Sequence, residues 1–390
     1  MSVLLLILGL VLFIGLVVVH EWGHFIMARR NGVEVEEFGI FFPPRLFKHQ
    51  TKGGWLFTIN LLPLGGFVKL KGEHDTDTAV GSYGAASLGA KSKIMAAGVV
   101  MNLITGLVLL TIVALIGMPQ LLPNQFTVKS DTKVTRSEVL AVQIDKGSPA
   151  DKLGLQQDDQ IVAIGPAGKS LTKVTDMAKL PKLTQDYAGK QVTIVYKHKG
   201  HQQRGTVTLL SDAAVNASQK TDHPKGHLGV VPASYSLQRS TWSAPVVAVG
   251  FTAQATALTF QGLGRALGGL GSIVAGSVTG NTHARQNGQT AASDQVSGPV
   301  GIFVILQDGS LLGYQFVLLI IAIISLTLAI MNILPIPALD GGRLWLTLIT
   351  RKLFKRPLTP RVEERVNASG MALLLALIAA ITVVDIKRFF

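Results

Sequence analysis

From Val3 to Val19 the chain carries no polar side chain. At about 1.5 Å per residue, this run and its continuation to Ala28 can cross a hydrocarbon core of about 30 Å, so it predicts a transmembrane helix. Lipid offers backbone groups no partner, which leaves a helix bundle as the architecture for spans of this length. Runs at about 96–118, 316–333 and 368–384 predict three more spans. A composition of 48% hydrophobic and 15% charged residues over 390 positions agrees. Met1-Ser2-Val3 lacks a basic n-region and no small-residue cleavage pattern follows, so the first segment reads as a retained span and not as a signal peptide.

Between the first two spans, 29–95 is rich in Gly and Pro. Gly54–Asn60 and Gly66–Leu70 are strand-like, broken by Pro63 and Gly65-Gly66, and predict a hairpin or small sheet against the membrane. Residues 122–233 are polar and mixed, enough for one small soluble α/β domain. Its strand-like runs are Val139–Ile144, Gln191–Tyr196 and Gly205–Leu210, with a turn over 197–204. Residues 234–312 hold an apolar stretch, 245–280, interrupted by Gln254, Gln261 and Arg265, which predicts an interfacial or bundle-packed helix. The third span with its sequel covers 313–342, a basic loop 343–367, and the last span 368–388.

The loops 29–93 and 343–367 hold sixteen Lys and Arg in ninety residues, and 120–312 holds eighteen in 193. Short basic loops stay in the cytoplasm while long domains translocate regardless of charge. This places both termini and the soluble domain outside, with Lys387-Arg388 running mildly against it. The net charge of +13 is accounted for by the same rule, and nucleic-acid binding is not expected.

The first span ends in His20-Glu21-Trp22-Gly23-His24. On a helix, positions i and i+4 share a face, so both imidazoles reach one Zn²⁺, with Glu21 beside them to take a proton from a water. Chance yields this pattern in roughly one chain in a hundred of this length, but two His and a Glu in an apolar span are costly and functional by default. With no Cys in the chain, a third ligand must come from His, Asp or Glu. Asp340 is the candidate. Pro335 and Pro337 end the third span, and Gly341-Gly342 let the chain turn. His20 and His24 lie near the cytoplasmic face, just before Arg29-Arg30. If 245–280 does not cross, Asp340 arrives at that face; if it crossed, Asp340 would end up about 30 Å away. Four spans are therefore expected. His74, Asp75 and Asp77 sit in a polar loop without helical spacing and read as solvated.

H-E-x-x-H in the first span, N-x-x-P-x-P-x-L-D-G in the third and one PDZ-like insert together resemble the bacterial site-2 protease family, in its single-PDZ form. The resemblance covers essentially the whole chain. It implies a multi-pass enzyme of the bacterial plasma membrane that uses one zinc ion per chain. It would perform regulated intramembrane proteolysis of single-span proteins such as anti-sigma factors, signal-peptide remnants or pheromone precursors. His20, His24 and Asp340 would be ligands and Glu21 the general base. Asn332 and Pro335 would hold substrate or orient the reacting groups. The segment 62–69, with Gly65, Gly66 and Phe67, resembles the family's membrane-associated β-loop, and Ser297-Gly298-Pro299-Val300-Gly301-Ile302 its segment before the third span. Relatives often read G-P-x-x-N in the second span; here it is Gly98-Val99-Val100-Met101-Asn102, and Asn102 reads as an interhelical contact. In the insert, Ser148-Pro149-Ala150, Gly154-Leu155 and Asp158–Ile161 carry the PDZ-like signal. Asp158 stands where Gly is usual. Gly226-His227-Leu228-Gly229-Val230 resembles a loop that holds a peptide C-terminus; a linking turn or a size filter are the other readings.

Two rivals stand beside this reading. A transporter would line an ion path with its charges, yet no inverted repeat is apparent and H-E-x-x-H would be unneeded. A silent scaffold would need none of the ligand set.

Overall fold

The computed structural model describes residues 2–219, 224–293 and 298–389. The chain forms two units, Met1–Val113 with Ala244–Phe390, and the intervening Ala114–Ser243.

The first unit opens with α1 (Ser2–Arg30). It stops at a Schellman turn, in which Gly32 N–H donates to Arg29 O and Val33 N–H to Ala28 O. Arg29 and Arg30 in the last turn complement the helix dipole. Strands β1 (Val35–Gln50) and β2 (Leu56–Leu70) follow and pair antiparallel. The register is folded over: Phe38 faces both Phe57 and Val68, while 45–50 pairs back onto 56–60. Of the hairpin and the small sheet that the sequence allows, the sheet is the one that forms: segments 56–60 and 66–70 each pair with β1 and not with each other. Pro63, which has no N–H to donate, falls between the two paired stretches. The sheet packs on Phe25 of α1, whose ring meets Trp55 at 4.8 Å.

α2 (Leu88–Ile116) begins two turns before the predicted span. Ser87 Oγ caps it by accepting from Ala90 N–H. Lys91, which reads as a cytoplasmic loop residue, is buried in the first turn. Its ammonium donates to Asp75 and to Gly84 O.

The second unit contains β3 (Met118–Pro119), β4 (Lys133–Ile144), α3 (Pro149–Lys152), β5 (Asp159–Pro166), β6 (Thr172–Lys173), α4 (Lys179–Asp186), β7 (Gln191–His198), β8 (His201–Thr208), α5 (Asp212–Ser218) and β9 (Val230–Arg239). The sheet runs β3-β9-β4-β5-β7-β8, with β6 beside β5. Its core is the inward face of β4, β5 and β7, including Val139, Ile161, Ile164 and Ile194, closed by Leu180 and Leu228. The predicted turn shrinks to Lys199-Gly200, both at positive φ, between His198 and His201. Asp158 adopts φ 66°, the left-handed conformation expected of it.

The first unit resumes with α6 (Ala244–Thr279), α7 (Thr282–Ser293), α8 (Pro299–Leu312), α9 (Tyr314–Ile333), α10 (Asp340–Lys352) and α11 (Pro360–Phe389). α8 and α9 are joined by Gly313 alone, at φ 110°. The N-terminus of α8 is capped from another helix: Asp385 of α11 accepts from Gly298 N–H at 2.9 Å and Gly301 N–H at 2.8 Å. Ser297 of the predicted motif lies outside the described residues.

Among the described residues, five helices are long and apolar enough to cross a membrane: α1, α2, α6, α9 and α11. The chain is a membrane-integral protein. The expectation weighed four crossings against five on the strength of α6 alone. α8, 14 residues of apolar helix about 21 Å long, adds a further segment. A crossing by α6 followed by one by α8 returns the chain to the side from which α9 starts. The parity that brings Asp340 to His20 is thus met with α6 crossing or not.

Candidate metal centre

His20 and His24 lie in the last third of α1, one helical turn apart, where the apolar run gives out. Both are buried, at 9% and 6% exposure. Asp340 is the first residue of α10. Its place is set by the 334–339 loop, which folds back over the first turn of that helix. A side chain on Gly341 would strike the Leu334 carbonyl, and one on Gly342 the Ile336 carbonyl. The Trp345 indole fastens the turn by donating to Ile333 O at 3.0 Å.

The three side chains converge. Asp340 Oδ2 lies 2.9 Å from His20 Nε2 and 3.1 Å from His24 Nε2, and the two nitrogens are 3.2 Å apart. Among the described residues this is the one cluster of three or more metal-ligating side chains. Donors at about 2.0–2.1 Å from a tetrahedral ion stand about 3.4 Å from one another, so a small outward shift admits Zn²⁺. Two imidazoles and one carboxylate suit that ion and leave a position for water.

The opposing face is α2, and it is built around the rings. Ile94 O lies 2.8 Å from His24 Nδ1. A carbonyl only accepts, so Nδ1 carries the proton and Nε2 keeps its lone pair for a metal. One turn on, Gly98 leaves room for both imidazoles: an added Cβ would stand 2.5 Å from His20 Cε1, inside van der Waals contact. One turn further, Asn102 Nδ2 lies 3.2 Å from His20 Nδ1. Residues 94, 98 and 102 thus form one stripe at helical spacing. Sequence reasoning passed over Ile94 and gave Gly98 no role of its own; the i, i+4, i+8 spacing around Asn102 was the available signal.

A cavity of about 320 Å³ opens beside the centre, lined by Glu21, His24, Asp340, Gly66, Phe67, Val68, Glu73 and Arg343 among others. Glu21 and Val68 share the cavity wall. A Cβ on Gly66 would crowd the Glu21 side chain at 3.1 Å. The 66–70 segment pairs with β1 on one side only, so an edge of the sheet borders the cavity. Arg343 reaches across to the Glu73 carbonyl and to Glu363 at 3.4 Å, and its guanidinium lies 4.7 Å from the Tyr83 ring centre. Burial pushes the Tyr83 phenol up to about 12, so it stays neutral.

The structure therefore brings His20, Glu21, His24, Asp340, Gly66 and Phe67 together. Asn332, half-buried on the last turn of α9, and Pro335, exposed in the following loop, do not line the cavity, nor does Gly65. Ala338 and Leu339 do. The loop acid reading of Asp75 needs correction. It is 2% exposed and is the hub of an ion cluster with Lys91 and Arg351, because 72–86 tucks under α10 and α11 and is not solvated.

Comparison with known proteins gives a consistent picture. The profile of peptidase family M50 matches residues 8–377. A candidate zinc metalloprotease of Clostridium perfringens is 28% identical over 381 residues, spanning 98% of both chains. Another from Streptococcus pyogenes serotype M6 is 26% identical over 460 residues, covering 98% of this chain and all of the relative. The zinc metalloprotease RasP of Shouchella clausii is 26% identical over 461 residues, or 97% and 98% of the two chains.

Proposed function

The chain belongs to peptidase family M50 and is a zinc metallopeptidase integral to the membrane, and from this premise we propose that it cuts the transmembrane segments of single-span proteins. His20, His24 and Asp340 hold the zinc and Glu21 is the general base. The observation that carries this reading is the meeting of two ring nitrogens and one carboxylate oxygen within 3.2 Å of one another, among helices apolar enough to span a bilayer.

Bound zinc supplies the Lewis acidity that makes water nucleophilic near neutral pH and polarises a peptide carbonyl. The chain's own groups do the rest. Glu21, at the cavity wall, takes the proton of the attacking water and returns it to the leaving amine. Ile94 O keeps His24 in the ligating tautomer. A helical substrate hides its carbonyls in its own hydrogen bonds and must first be unwound. The 66–70 edge, bordering the cavity beside Glu21, is suited to receive the opened segment as an added strand. Substrate spans with weak helix formers are then favoured.

Orientation follows from charge: both termini and the Ala114–Ser243 unit lie outside, and the metal centre faces the cytoplasmic leaflet. We read that unit as PDZ-like. β9 follows the 226–230 loop directly and pairs with β3 only at Leu237 and Gln238, which leaves its earlier edge for a peptide.

The test compares Glu21→Gln with the unaltered protein on a transmembrane substrate in proteoliposomes. Zinc stays near one per chain and cleavage stops. Cleavage that persists removes Glu21 from the mechanism. His20→Ala and Asp340→Asn lose zinc, and full retention in both contradicts the ligand set.

A further inference from the structure

We infer that Asn102 is the positioning residue of His20, its amide oxygen receiving the Nδ1–H of that ring when Nε2 carries the metal. This rests on the reading of His20 as a ligand and extends it to α2. Asn102 is 1% exposed, with Nδ2 at 3.2 Å from His20 Nδ1. Its Oδ1 is buried and has no hydrogen-bond partner. A ring that ligates through Nε2 holds its proton on Nδ1 and needs an acceptor there. Among the described residues, Asn102 is the one side chain shown reaching that nitrogen. A half-turn of the amide about Cβ–Cγ exchanges two groups of nearly equal size. It satisfies the orphaned oxygen and fixes the ring's tautomer and plane in one step.

The interhelical role expected of Asn102 does not need the amide. Ser325 of α9 donates to the Asn102 backbone carbonyl at 2.7 Å, a contact any residue at 102 provides. His24 is served differently, by the backbone carbonyl of Ile94, so that bond does not depend on the side chain at 94. At 102 it is not. The absence of Pro at 99 leaves this arrangement untouched, since residue 99 is not on the 94–98–102 stripe.

The experiment measures zinc affinity of the full-length protein in detergent by chelator competition, with the visible spectrum of the cobalt-substituted form as a second readout. Asn102→Leu fills the space without an acceptor. It is expected to bind zinc roughly ten- to a hundredfold more weakly, with shifted cobalt bands, while still reaching one ion per chain at saturation. Asn102→Asp keeps an acceptor at the same place and restores affinity to within about threefold. Ser325→Ala removes the backbone contact and leaves affinity and spectrum unchanged. Wild-type affinity in Asn102→Leu overturns the inference. So does an equal loss in Asn102→Leu and Ser325→Ala, or in Leu and Asp at 102. His20→Ala, run alongside, separates the two readings: if it keeps its zinc, the ligand set fails; if it loses zinc while Asn102→Leu does not weaken, only the role of Asn102 fails.

Discussion

Two buried polar clusters sit in the same unit and are built on opposite plans. Around Asp75 every valence is spent. Its carboxylate accepts from Lys91, from Arg351 Nε at 2.9 Å and from Leu358 N–H at 3.0 Å, and its carbonyl accepts from Arg351 at 2.8 Å. Around Asp340 there is one carboxylate against two imidazoles, with two ring nitrogens and an oxygen aimed at a common point and their outward nitrogens attended by α2. Both clusters use acids that look alike in sequence. The saturated cluster fastens the 72–86 loop, α2, α10 and the start of α11 together. The convergent one brings three atoms with lone pairs to a common point, as the proposed zinc site requires. Spent against unspent coordination, and not burial, separates structure from chemistry here.

The sharpest way to break this contrast is to remove each acid in turn. Asp75→Ala leaves the Lys91 ammonium buried without its counter-ion, so stability falls by about 3–5 kcal/mol. Metal content of the folded fraction holds at one per chain. Asp340→Ala does the reverse, losing zinc and activity with a smaller change in the metal-free melt. Denaturation in detergent, paired with metal analysis, reads both. A D75A protein that lost zinc at unchanged stability would erase the distinction.

A smaller effect is expected on α2. Gly98→Ala puts a methyl group against both rings, and zinc affinity drops by at least about tenfold. Gly89→Ala on the same helix meets nothing within 4 Å. It leaves affinity unchanged and gains up to about 1 kcal/mol of helix propensity. Equal affinities for the two variants would mean that α2 does not shape the centre.

The least change is expected from pH. Burial alone would raise the Asp75 carboxyl, but hydrogen bonds from Arg351, Lys91 and the Leu358 N–H hold it below the usual carboxylate range. A depressed pKa contributes stability that is complete above the unfolded value of about 3.9 and is lost as pH falls through the folded one. The stability gap between wild type and Asp75→Asn is therefore flat from pH 5.5 to 8. Zinc content is not flat over the acid side, because imidazoles must shed a proton to ligate. Thermal melts and metal analysis over one pH series separate the two.

How much of this was legible in the sequence depended on the separation of the residues involved. The existence of α1, α2, α9 and α11 followed from hydropathy. Their boundaries did not: α2 starts two turns early because Lys91 finds its partner sixteen positions upstream, and no local pattern announces that pairing. The 54–70 segment read as a hairpin or a small sheet, because strand propensity says where a strand is, not which strand it pairs with. α6 read as non-crossing on a parity argument that left out α8, whose 14 residues fall below the length at which hydropathy signals a span.

The sequence by itself determined that His20 and His24 share a face and that Glu21 stands between them, since helical pitch places residues four apart one above the other. It determined too that lipid surrounds the helix that bears them. Only the tertiary structure decided that Asp340, 320 positions from His20, meets both rings, that Ile94 O and Asn102 Nδ2 lie against their outer nitrogens, and that Asp75 accepts from Lys91, Arg351 and the Leu358 N–H. Those contacts depend on how helices pack, and packing is fixed by the shapes of distant surfaces; the 94–98–102 spacing marks one face of α2 but not what that face meets.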